Sequence, residues 1–111
     1  MDIFKHLKKN KIKVHSPTQA TGTCKEPYTV IKAAGSDKLF GISTAQHHYD
    51  LMCYVPQDEY TTLEPYVDKV EKLMKELEPM IKPTNFRTPS FFDETVKAHM
   101  ISTQFYNYRK L

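Results

Sequence analysis

At 111 residues, with 40 % hydrophobic and 26 % charged side chains, the chain is expected to fold as one domain, residues 1–111, around a core that needs no covalent staples. No apolar run nears the roughly 18 residues that span a membrane, and the start MDIFKHLKKN is charged where a signal peptide needs its apolar segment. The formal charge of +3 is local: five lysines against Asp2 give residues 1–13 a charge of +4 and leave −1 for the other 98, which excludes a uniformly basic surface.

Asp2 is placed to cap a short helix whose apolar positions Ile3, Phe4 and Leu7 fall on one side and which ends near Asn10. Alternation over residues 12–15 (IKVH) predicts a short strand, and the Ser, Pro, Thr and Gly content of residues 16–27 predicts a long loop. Residues 28–34 (YTVIKAA) are β-branched and aromatic enough for a second strand. The turn-rich GSDKLFGIS then leads to HHYDLMCYVP, so these two strands form an antiparallel hairpin with a generous loop. In the second of them His47, Tyr49, Leu51, Cys53 and Val55 share one face and His48, Asp50, Met52 and Tyr54 the other, with Pro56 ending the strand.

The strongest periodic signal follows. Leu63, Val67, Val70, Met74 and Leu77 recur at spacings of four, three, four and three, the apolar stripe of a helix lying on a sheet. Thr61 and Glu64 have capping-box spacing, Pro65 fits the first turn, and Asp68 with Lys72 and Glu71 with Lys75 stand at i, i+4. Pro79 stops the helix. A short strand is expected at residues 80–82, an irregular segment with Pro83 and Pro89 over residues 82–90, and a long closing strand from Val96, with Ile101, Thr103 and Phe105 on one side and Ala98, Met100 and Ser102 on the other. The sum is a small α+β domain: a mostly antiparallel β-sheet with one long and one short helix packed on it.

The glycines at 22, 35 and 41 are too dispersed for a phosphate loop, and no GxSxG elbow is present, so neither a catalytic residue nor a cofactor is expected. Cys24 and Cys53 lack CxxC spacing and read as small buried hydrophobes. A metal site from His48, Asp50 and His99 is geometrically conceivable, though zinc ligands usually lie closer in sequence, and polar side chains on a partly covered sheet are the plainer reading. The loops 16–27 and 82–90, poor in apolar anchors, are expected to be mobile in the free protein and to order at an interface. Lys25 and Glu26 in one, Phe86 and Arg87 in the other, and the exposed pair Phe91 and Phe92 are the groups assigned to partner contact. A nucleic-acid-binding module using the basic N-terminal helix is the rival reading, and a small metal-dependent hydrolase the third.

The run YDLMCYVPQDEYTTLEPYVDKVEKLMKEL, an extended stretch closed by YVP, a polar turn and an amphipathic helix, resembles the tail completion or tail-to-head joining proteins, the tail terminators, of long-tailed bacteriophages and prophages. FFDETVKAHMISTQFYNYRKL is similar to the end of that family, and the resemblance spans about residues 45–111. Tyr49, Asp50, Tyr54, Val55 and Pro56 match its strand end, Leu63, Tyr66, Val67 and Val70 its helix, and Asp93 and Ala98 the start of its last strand. The resemblance implies an α+β, non-enzymatic virion protein, present in the bacterial host cytoplasm before assembly and at the head–tail junction after it. Its partners would be the tail tube protein, a head completion or connector protein and further copies of itself in a ring, with DNA meeting it only by passage through the lumen.

Overall fold

The computed structural model describes residues 3–16, 22–38 and 44–110, with side chains described outside 34–38, 44–45 and 108–110. Helix α1 (Ile3–Lys9) leads into β1 (Val14–His15), then β2 (Tyr28–Lys38), β3 (Thr44–Pro56), a 3-10 segment (Gln57–Thr62), α2 (Leu63–Lys75), β4 (Lys82–Arg87), β5 (Phe91–Asp93) and β6 (Ala98–Lys110). The fold is the expected α+β class. Sheet order is β1-β2-β3-β6-β4, and β5 pairs a different length of β6. All pairings are antiparallel except β1 with β2.

The two-residue alternation is realised as read. Leu51, Cys53 and Val55 of β3 and Ile101 and Phe105 of β6 face the helices, where Leu63, Val67, Val70 and Met74 of α2 close the core. The opposite face carries a smaller cluster, Cys24, Tyr28, Val30, Val96 and Ala98, with Met52 and Tyr54 packed against it. A backbone hydrogen bond from the Cys24 amide to the Val96 carbonyl, 2.7 Å, ties the chain before β2 across this second cluster. The central strands outrun the helices, and the molecule measures 49 × 25 × 23 Å.

Three local readings are corrected. Residues 82–90 contain a strand where an irregular segment was expected: β4 lies on the outer edge of β6, where a proline loses no ladder bond, so Pro83 is compatible with it. The register slips between Pro83 and Arg87, with Asn85 at φ 63°, and such a bulge also blunts an exposed edge. β2 runs through Gly35 to Lys38 by way of a register shift between Ala33 and Ser36, which leaves a shorter connection than the one expected. Thr61 does not cap α2: the 3-10 segment enters the helix directly, Leu63 N–H donates to the Tyr60 carbonyl, and Thr62 Oγ1 turns back to the Glu59 carbonyl at 2.7 Å.

Helix α1 ends in a Schellman motif, Ile12 N–H to Leu7 C=O and Lys11 N–H to Lys8 C=O, both 3.0 Å, with Leu7 and Ile12 in the core. The residue at its left-handed position is Lys11, φ 66°, where glycine is favoured. Replacing Lys11 with glycine should therefore stabilise the fold by about 0.5–1 kcal/mol, read as a higher urea midpoint at unchanged m-value. A lower midpoint would show that the lysine side chain contributes more than its backbone costs.

Candidate partner-binding surface

The large hydrophobic side chains exposed among the described residues are Tyr60, Met80, Phe86 and Phe91, each between 50 % and 62 % accessible. They come from the 3-10 segment and the β4–β5 side of the sheet. Tyr60 packs edge-on against His99 with ring centroids 4.7 Å apart, Phe92 meets His99 on its own side at 5.1 Å, and His99 Nε2–H donates to the Gln57 carbonyl at 3.2 Å. Phe92, expected to be exposed, is thus half-buried against β6, while Phe91 and Phe86 remain open.

Beside this stack, Leu63, Pro65, Pro89 and Ile101 line a cleft of about 420 Å³ between the start of α2 and the β4–β5 turn, with Tyr60, Glu64 and Arg87 at its wall. Tyr60 Oη and Ser90 Oγ approach to 3.3 Å across it.

Arg87 serves the fold itself. Its guanidinium donates to Asp68 Oδ1 at 2.9 Å and to Glu71 Oε1, both on α2, and Glu71 Oε2 accepts from Thr103 Oγ1 at 2.8 Å. Burial alone lowers the guanidinium pKa, but its hydrogen bonds to the two carboxylates outweigh that and hold the charge more firmly. Asp68 and Glu71, expected to face lysines on their own helix, turn to a strand 16 to 19 residues away.

Lys25 and Glu26 are exposed in the segment that precedes β2. Glu26 pairs with Lys13, whose hydrogen bond holds the carboxyl below the usual carboxylate range. Residues 17–21 of the first expected loop and residues 39–43 of the hairpin connection lie outside the described residues.

The His48, Asp50, His99 site is excluded by register. His48 and Asp50 pair with Tyr106 and Gln104, whereas His99 pairs with Val55, on the other face and about 17 Å further along the strand. Gln104 Nε2 donates to Asp50 Oδ1 at 3.1 Å.

Both cysteines are free and buried, on opposite faces of the sheet. Burial raises the Cys24 thiol, and pushes Cys53 up from 9.0 to about 12. With the folded pKa above the unfolded one, this contribution to stability is complete below pH 9 and is lost as pH rises from 9 towards 12. Thiol labelling at pH 8 should modify Cys24 in a faster phase, through local opening of the residues before β2, and Cys53 only at the rate of global unfolding. Rapid labelling of Cys53 in the native protein would contradict this packing.

Tyr60, Met80 and the carboxylate partners of Arg87 were not legible as surface or site features in the sequence, because helix-to-strand contacts of this kind carry no fixed spacing. No protein-family model matches the chain, and no curated protein matches it.

Proposed function

We propose that the chain is a non-enzymatic structural protein of a long-tailed phage or prophage, a tail terminator that caps the tail tube and joins it to the head. The observation that carries this reading is the exposure of large aromatic and apolar groups, Tyr60, Met80, Phe86 and Phe91, in the stretch from the 3-10 segment to β5. The positions that resemble the family also fall on two continuous units, the end of β3 through the 3-10 segment into α2, and β5 into the start of β6. In this reading Phe86 and Phe91 contact the tail tube or the head connector, and the copies associate into a ring at the head–tail junction. The isolated chain is monomeric or weakly associated, since its helix stripe is spent on its own core. Deleting its gene and imaging the particles tests this: the expected result is free full heads with separate tails, and intact virions at normal yield would end it.

A further inference from the structure

We propose that the half of the sheet running past the helices, the ends of β2 and β6 with the start of β3, binds the phosphate backbone of nucleic acid without reading its sequence. This binding needs neither a ring nor a tail and stands apart from the reading above.

Strand direction sorts the charges along the molecule. β3 begins where β6 ends, and its 13 residues at about 3.3 Å each set the two ends roughly 40 Å apart. Where β3 runs into the 3-10 segment stand Asp58, Glu59, Glu64, Asp93 and Glu94, against Lys25 and Lys97, while Lys13 and Glu26 neutralise each other. Where β3 begins, the register gathers Lys32, Lys38, Arg109 and Lys110, with Lys82 of β4 opposite Tyr106, against Asp37 and Asp50. Five carboxylates against two cations leave −3 at one end, and five cations against two carboxylates leave +3 at the other. A polyanion is drawn to the second end and turned away from the first, which orients its approach.

Two rows of side chains cross the sheet at the basic end. His48, Tyr106 and Lys82 lie side by side on β3, β6 and β4, and Lys32, Asp50 and Gln104 on β2, β3 and β6. Leu51 and Phe105 face the helices, so alternation puts both rows on the opposite face, away from α1 and its lysines. Lys32 and Lys82 stand on the two rims of this face, three strand spacings or about 14 Å apart. Both are exposed, and among the described residues neither has an ion-pair partner, while Asp50 between them accepts Gln104 Nε2–H at 3.1 Å. Tyr106, half-buried between the rims, is of a type that contacts phosphate and sugar. Charges this exposed are screened by salt, so the grip is weak at physiological ionic strength and firm at low.

The test follows the anisotropy of short fluorescent DNA duplexes of two unrelated sequences as the full-length chain is added at low salt. Expected are equal affinities for the two and a slope of log affinity against log salt of about −3, at roughly −0.9 per phosphate contact. Lys32→Gln with Lys82→Gln should weaken binding at least tenfold and bring the slope about 2 closer to zero. Lys8→Gln, Lys9→Gln and Lys11→Gln together should weaken it less than threefold. On the unaltered chain, amide shifts caused by the duplex should cluster at residues 32–38, 46–50 and 104–110, which tests the surface without any substitution. No binding at low salt, a preference for one sequence, or shifts confined to other residues would overturn the proposal. So would loss of binding in the helix variant with the Lys32 and Lys82 double variant unaffected, which would move the contact to α1. Gene deletion bears only on the tail-joining role: intact virions would end that role and leave the DNA contact standing, and lost joining without DNA binding would do the reverse.

Discussion

Replacing Phe105 with alanine should destabilise the protein by about 3–5 kcal/mol, the usual cost of emptying a large aromatic site in a close-packed core. Phe105 is 2 % exposed and the largest of the fully enclosed side chains. It stands opposite Tyr49 on β3 and Pro83 on β4, so its ring is walled by a strand on each side as well as by the helix layer. Collapse of the surrounding core can only be partial, so a cavity remains. Set against the roughly 5–15 kcal/mol total typical of natural domains, this loss removes from about a fifth of the stability to all of it, so the unfolding midpoint falls steeply. Urea denaturation followed by far-UV circular dichroism measures it, and a loss under 1 kcal/mol would show that β4 can move in and close the gap.

Replacing Arg87 with alanine should cost about 2 kcal/mol, the scale of hydrogen bonds to charged groups when the pair is only partly shielded. The guanidinium side chain is 29 % exposed and Glu71 31 %, so this pair is neither a surface ion pair nor a fully buried one. Without Arg87, Glu71 keeps its bond from Thr103 but loses its counter-charge, and β4 loses its tie to α2. Arg87→Lys should recover less than half of the loss, because a single ammonium cannot fork between Asp68 and Glu71. Phe86→Ala, at a side chain 56 % exposed, should change the urea midpoint little, which separates the structural residue of β4 from the one free to meet a partner. Equal effects from the two alanine variants would refute that division.

Much of the fold was legible because its causes are local and periodic. The stripe Leu63, Val67, Val70, Met74 lies under α2 as spaced, and Ile101, Thr103 and Phe105 share the face that their alternation assigns. Strand β4 was hidden for an equally local reason: Pro83, Asn85 and Pro89 carry loop chemistry, and an edge strand tolerates it because half its backbone groups need no partner strand. β5, three residues long, is too short to alternate visibly and exists only because β6 offers an edge there.

Read alone, then, the sequence determines which residues must leave water and in which local conformation, because hydrophobic burial imposes a period of 3.6 on α2 and of two on β3 and β6. Register and cross-element contacts are set by the tertiary structure alone. They part His99 from His48 and Asp50, and turn Arg87 inward to Asp68 and Glu71. Such pairings join residues tens of positions apart through the packing of the whole core, so no local pattern of residue types can encode them.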